Sequence, residues 1–273
     1  MKTRHPQLAT RNMKKPLILV TNDDGITAPG IRALIEVASR IGTPVVVAPD
    51  SPQSGMGHAI TIHSPLRLKE EIIFSGIEAY SCSGTPVDCV KLARNVVLKD
   101  RTIDICVSGI NHGSNVAINI LYSGTMSAAM EGSLEGIPSV GFSLLDFAQD
   151  ADFESGKPYI QQIMEYALAN GFGKSKLLNV NIPKLPYSQL KGIKVCRQAE
   201  AGWKEDFVES TDPSGRKYYW MSGEFRNDDG GTDTDVWALD NGYISVVPCG
   251  HDLTLYESID SIKTLENSNL LIE

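Results

Sequence analysis

The feature that most limits the fold of this chain is an alternation of short apolar runs with amphipathic helical segments. The first run, Leu17 to Val20, is entirely apolar, which is typical of a strand buried on both faces of a parallel sheet. Pro29 then suits the first turn of a helix, and apolar residues recur at helical spacing until Gly42 stops the pattern. This strand–turn–helix unit indicates an α/β protein.

The same pattern continues along the chain. It predicts strands at 45–48, 103–107, 139–144 and 177–181, and helices at 123–135 and 159–169. Parallel strands need crossover connections, which usually contain helices. We therefore predict a mostly parallel sheet with helices on both faces.

Beyond about residue 190 the pattern changes to β-rich segments that we expect to form antiparallel ribbons, among them GIKVCRQ and GYISVVP. Two aromatic stretches flank a turn signal at Asp212 to Gly215, which is typical of a hairpin. No linker marks a clean domain boundary. We predict a disordered extension over 1–14, a catalytic core over 15–190 and a C-terminal β-rich arm and tail over 191–273.

Composition excludes several function classes. The formal net charge is −8 and no Lys/Arg block occurs, which argues against a nucleic-acid polymer as partner. No apolar stretch approaches the roughly 18 residues of a membrane helix. The five cysteines have no CxxC spacing, so neither a disulfide framework nor a zinc site is expected. These features predict a cytoplasmic protein.

Polar residues follow three of the predicted strands. In open α/β sheets ligands bind at the carboxyl ends of the strands, so these loops are expected to share one rim. Adjacent carboxylates with hydroxyl and amide oxygens suit Mg²⁺, Mn²⁺ or Ca²⁺. The alternative is that Asn-Asp-Asp-Gly is only a turn, because all four residue types favour turns. The residues of the three loops are Asn22, Asp23 and Asp24, then Asp50, Ser51 and Ser54, then Ser108, Asn111 and Asn115.

A second candidate site is the helix start at Ser123, Gly124 and Thr125. Free backbone amides and the helix dipole favour an anion such as phosphate at this point, although an ordinary N-cap explains the same residues. His112 is left unassigned between a ligand, a proton donor and a packed side chain. The acidic residues in 228–235 do not match a calcium loop, and turn and capping roles are favoured over a calcium site.

Seven ordered segments, spanning about Lys15 to Thr254, together give the chain a family resemblance. It resembles the SurE survival-protein family of metal-dependent nucleotidases. The chain departs from the family pattern at VVPCGHDLT, near Cys249. The segments are ILVTNDDGITAPGI, VVVAPDSPQSGMGHAIT, CSGTPVDCV, VSGINHGSN, YSGTMSAAMEG, LNVNIP and GTDTDVWALDNGYISVVP.

The resemblance implies a Rossmann-like core with a protruding C-terminal hairpin, assembled into homodimers or homotetramers. It implies hydrolysis of nucleoside 5′-monophosphates, with 3′-monophosphates as further substrates, and one Mg²⁺ or Mn²⁺ ion per subunit. Either Asp23 or Asp24 would also act on the attacking water. A non-catalytic nucleotide sensor and a nucleotide-sugar transferase are the alternatives. The implied metal ligands are Asp23, Asp24, Ser54 and Asn111, and the implied phosphate contacts are Asn115, Ser123, Gly124 and Thr125.

Overall fold

The computed structural model describes residues 15–148 and 150–267. The extension predicted at 1–14 lies outside the described residues. The strands are β1 Leu17–Thr21, β2 Thr43–Pro49, β3 Leu68–Glu70, β4 Glu78–Cys82, β5 Ile105–His112, β6 Ser139–Leu144, β7 Leu177–Ile182, β8 Ile193–Val195, β9 Ala201–Thr211, β10 Lys217–Asn227 and β11 Ile244–Cys249. The α-helices are α1 Pro29–Ile41, α2 Pro86–Leu92, α3 Gly124–Leu134, α4 Lys157–Asn170, α5 Asp235–Asp240 and α6 Ile259–Ile262.

Nine strands form one sheet in the order β3-β4-β2-β1-β5-β6-β7-β11-β8. The six strands from β4 to β7 in that order are mutually parallel, whereas β3 and β11 run antiparallel to β4 and β7. The mostly parallel sheet predicted from the sequence is therefore confirmed. Of the C-terminal segments, β11 pairs antiparallel with β7 but parallel with β8, so the expectation of ribbons is wrong for β8.

Helices cover both faces of the sheet, as the pattern predicted. Successive strand residues point to opposite faces, so Ile18 and Val20 pack with helices α1 and α4 while Leu17 and Leu19 pack with α2 and α3. In α1, Pro29 occupies the first turn and Gly42 ends the helix by donating its N–H to the Ala38 carbonyl at 2.9 Å. Local signals in the sequence therefore set the bounds of this helix.

Strands β9 and β10 form a separate two-stranded sheet, which is the predicted hairpin. Eleven residue pairs hold it in register from Ala201 with Asn227 to Thr211 with Lys217. Its inner end packs near the 3₁₀ helix Ala117–Leu121. The hairpin therefore extends from the body beside the polar loops.

The acidic residues in 228–235 make structural contacts rather than a calcium loop. Arg197 bonds Asp229 at 2.6 Å and Asp233 at 3.1 Å. Asp235 is fully buried and accepts the backbone N–H groups of Ala117 at 2.9 Å and Ala199 at 3.0 Å. Asp229 also accepts the Gly231 N–H at 2.9 Å, as the favoured turn role requires, whereas the N-cap of α5 is Thr234.

Candidate active site

The polar loops meet where the order of strands reverses. Strand β1 has β2 on one side and β5 on the other. The chain first adds strands on the β2 side of β1 and later adds strands on the β5 side, so the strand order reverses at β1. Ligands of open α/β sheets bind at such switch points, outside the carboxyl ends of the strands. Asp23 and Asp24 follow β1, and Asn111 and His112 end β5.

The Asn-Asp-Asp-Gly turn uses only its first and last residues to shape the backbone. Asn22 is buried and its amide donates to the Gly25 carbonyl at 2.9 Å. Gly25 has a φ of +96°, which favours glycine. The carboxylates of Asp23 and Asp24 bond other elements of the fold. The turn therefore does not account for the two carboxylates.

Asp23 is a buried carboxylate in close contact with the first residues of α3. It is 4% exposed and accepts a short hydrogen bond from the Thr125 hydroxyl. A Cβ at Gly124 would come within 2.6 Å of the Asp23 Cβ, so only glycine permits this approach. Burial raises the pKa of Asp23 to about 6, opposed by the Thr125 hydrogen bond and assisted by the charge of Asp24.

Asp24 is half-buried beside the end of β5. It accepts the His112 backbone N–H at 3.4 Å. Burial raises the pKa of Asp24, and the hydrogen bond from His112 opposes this shift. Within the described residues, neither Asp23 nor Asp24 forms an ion pair with Lys or Arg. Two desolvated carboxylates without a cationic partner favour the binding of a cation.

Asn111 offers an amide oxygen to the same site. Its Nδ2 donates to the carbonyls of His112 at 3.1 Å and Gly113 at 2.7 Å, which leaves Oδ1 available as a ligand. The His112 ring is anchored through Nδ1 to the Ala148 carbonyl at 3.1 Å and packs edge-on against Phe153. His112 therefore packs beside the site and also lines the cleft.

The loop carrying Ser54 is tied directly to Asp23. The Gln53 N–H donates to the Asp23 carbonyl at 2.8 Å. The same loop carries Thr61, whose hydroxyl donates to Asp88 at 2.6 Å, and His58, whose ring contacts Glu131 at 3.0 Å. No local pattern indicated these two contacts, because Thr61 and Asp88 are 27 residues apart and His58 and Glu131 are 73 residues apart.

Asn115 is held by a buried network of amides that the sequence analysis also missed. The Asn115 N–H donates to Asn181 Oδ1, its carbonyl accepts from Asn179, and its side chain donates to Ser143, each at 2.7 Å. Asn179 and Asn181 alternate with apolar residues in β7. Two buried asparagines in a predicted parallel strand were the available signal, because buried amides need hydrogen-bond partners.

The N-terminus of α3 forms another side of the candidate site. Ser123 is the N-cap and its hydroxyl accepts the Met126 N–H at 3.0 Å, as the capping alternative requires. Thr125 is fully buried behind Asp23, so its hydroxyl positions that carboxylate. Direct phosphate contact by Ser123, Gly124 or Thr125 stays a prediction.

One cleft of about 820 Å³ gathers most of the predicted residues. Gly124, Thr125 and Asp24 lie next to Asp23 rather than on the cleft wall. No cluster of three or more His, Cys, Asp or Glu in the described part of the chain could hold a metal, but two carboxylates with a hydroxyl and an amide oxygen form a hard donor set. The predicted residues that line the cleft are Asp23, Ser54, Asn111, Asn115 and Ser123.

Residues 18–205 match the model of the family described as survival protein SurE. The chain belongs to the SurE family. A protein of Cytophaga hutchinsonii named 5′-nucleotidase SurE is 60% identical over 92% of this chain and 96% of its own length. The protein of that name from Flavobacterium psychrophilum is 61% identical over 92% of this chain and 97% of its own length.

A solved structure of a SurE protein has the same fold as this chain. The SurE protein from Aquifex aeolicus is 42% identical to this chain and superposes with a TM-score of 0.81, covering 92% of this chain and all of its own. The Rossmann-like fold implied by the resemblance is confirmed. Among the helices of the described residues, none is both long and apolar enough to cross a membrane.

Proposed function

We propose that this chain is a 5′-nucleotidase that hydrolyses nucleoside monophosphates to a nucleoside and inorganic phosphate. The observation that carries the proposal is a cleft lined by the desolvated carboxylate of Asp23 and by Ser123 at the N-terminus of α3, with the desolvated carboxylate of Asp24 next to Asp23. Such a site suits a phosphate monoester and a cation together. The names of the relatives support the same activity.

The ligand set proposed for one Mg²⁺ or Mn²⁺ ion per subunit consists of Asp23, Asp24, Ser54 and Asn111. A divalent cation held by these residues would lower the pKa of a water molecule and offset negative charge on the phosphoryl group. Thr125 holds the Asp23 carboxylate in place through its hydrogen bond. The Nδ2 atom of Asn111 is held by the carbonyls of His112 and Gly113, which leaves its Oδ1 as the ligand atom.

The proposed roles of the site residues toward the substrate are phosphate binding and acceptance of the proton of the attacking water. Ser123, Gly124 and Asn115 bind the phosphoryl oxygens, and the dipole of α3 favours their negative charge. Asp23 or Asp24 orients the attacking water and accepts its proton at a carboxylate oxygen. As the new P–O bond forms, the bond from phosphorus to the nucleoside oxygen breaks and that oxygen takes up a proton. The same cleft would accept a 3′-phosphate.

Release of inorganic phosphate from AMP by the purified protein with Mg²⁺ or Mn²⁺ tests this function. A nucleotidase releases phosphate in proportion to the adenosine formed. Binding of AMP without phosphate release would favour a nucleotide sensor instead. Activity on a nucleotide sugar without action on AMP would favour a transferase.

We also propose that the protein acts as a homodimer or homotetramer in the cytoplasm. The free cysteines in the described residues fit a reducing compartment. The hairpin exposes aromatic and apolar side chains that a two-stranded sheet cannot bury alone. Light scattering at micromolar concentration is expected to give at least twice the 29.7 kDa of one chain. A monomer with full activity would contradict the assembly. The exposed hairpin residues include Phe207, Tyr219, Trp220 and Met221.

A further inference from the structure

The cleft extends well beyond the residues proposed to hold metal and phosphate. Its volume of about 820 Å³ falls within the range of pockets that enclose a whole small-molecule ligand. The hairpin supplies part of the cleft wall. The lining residues from the hairpin are Trp203, Glu205, Met221, Ser222 and Gly223.

Trp203 presents an aromatic ring that is held in place before any ligand binds. Its indole N–H donates to Asn119 Oδ1 at 2.7 Å. Its ring packs edge-on against Phe225, with centroids 5.5 Å apart, and Phe225 is its partner across the hairpin. The side chain remains 48% exposed. A fixed and half-exposed aromatic ring has little conformational entropy to lose when it contacts a ligand.

Phe147 lines the same cleft from the loop that follows β6. It is 78% exposed, so it contributes little to the core. Its ring lies against Gly113, where a Cβ would come within 2.3 Å of a ring carbon. The preceding residue, Asp146, is anchored by Lys184 at 2.9 Å. The absence of a side chain at Gly113 therefore allows the exposed Phe147 ring to lie against this residue in the cleft.

We propose that Trp203 and Phe147 bind the nucleobase of the substrate by stacking. This inference rests on the proposed function, because it requires a nucleotide whose phosphate lies near Asp23 and Ser123. Bases of every kind have a π face, so stacking on aromatic side chains tolerates different bases. The two rings therefore select nucleotides over phosphate esters without a base, and they accept both purines and pyrimidines.

The test compares AMP with ribose 5-phosphate, which carries the same phosphate ester but no base. Trp203→Ala is expected to lower kcat/KM for AMP by about 10- to 100-fold while leaving that for ribose 5-phosphate nearly unchanged. Phe147→Ala is expected to shift the ratio of the two substrates in the same direction. Trp203→Phe keeps a ring but loses the hydrogen bond to Asn119, so it should retain most of the preference for AMP.

Tyr166→Ala is the matched control, because Tyr166 is an exposed aromatic residue of α4, outside the hairpin, and is absent from the residues lining the cleft. It should leave the substrate ratio unchanged. Calorimetric binding of AMP to the same variants gives a second readout that does not require turnover.

The inference is overturned if Trp203→Ala and Phe147→Ala both keep the wild-type ratio, or if both substrates lose activity equally. Failure of the proposed function has a different signature. In that case the wild-type protein hydrolyses neither ester, and the stacking role is decided by whether both alanine variants weaken AMP binding in the calorimeter.

Discussion

Replacing Asp24 with asparagine is expected to lower kcat/KM for AMP by about 1000-fold or more. Loss of a ligand to a catalytic metal removes several kcal/mol of transition-state stabilisation, and about 4 kcal/mol corresponds to a factor of about 1000. The fold is expected to survive, because Asn22 and Gly25 shape the turn. An asparagine oxygen can still accept the His112 N–H.

The metal-free variant is expected to be at least as stable as the metal-free wild type. Asp24 adds repulsion to a buried Asp23 whose pKa is already raised to about 6, and asparagine removes that repulsion. Asp100→Asn is the matched control, because Asp100 is exposed and precedes β5 at the opposite end of the sheet. Phosphate release from AMP and thermal unfolding measure both effects. If Asp24→Asn were as active as Asp100→Asn, the metal assignment would be wrong and the turn interpretation would stand.

Removal of divalent metal by a chelator is expected to abolish phosphate release from AMP, and added Mg²⁺ or Mn²⁺ is expected to restore it. The reason is that the proposed carboxylates act on a water whose pKa only a bound cation would lower. Metal is also expected to raise the melting temperature, because a ligand that binds only the folded state stabilises it by about 2.7 kcal/mol at a hundredfold excess over Kd.

Two controls separate this result from a general effect of the reagents. The melting temperature of Asp24→Asn should respond much less to metal than that of the wild type. Thiol-blocking reagents should have little effect on activity, since four of the five cysteines are buried and burial raises the pKa of the fifth, Cys249, to about 11. Full activity in excess chelator would contradict the metal requirement.

Local patterns in the chain were sufficient to predict the central elements. The runs that became β1, β5, β6 and β7 are rich in apolar residues because both faces of these strands are covered. Helix boundaries at Ser123 and Gly171 followed from capping chemistry. Strands β3 and β4 and helix α2 were not predicted, because the edge strand β3 and its neighbour β4 are only partly buried and the helix has seven residues.

The clustering of Asp23, Asp24 and Asn111 could also be expected from the chain alone. Carboxyl ends of parallel strands meet at one edge, so a topology inferred from periodicity already brings their polar loops together. The family resemblance added roles for these residues, and membership of the family is confirmed. Their assignment as metal ligands remains a prediction.

Long-range packing supplied the contacts that no local pattern contains. Thr125 donates to a carboxylate 102 residues away, and Trp203 bonds Asn119 across 84 residues. Hydrophobic periodicity and capping depend on neighbours within a few residues, so they specify elements and their ends. The partner of a buried hydroxyl and the docking of a hairpin beside a cleft depend on how those elements pack, and this is why Thr125 and Trp203 acquired their roles only in the folded chain.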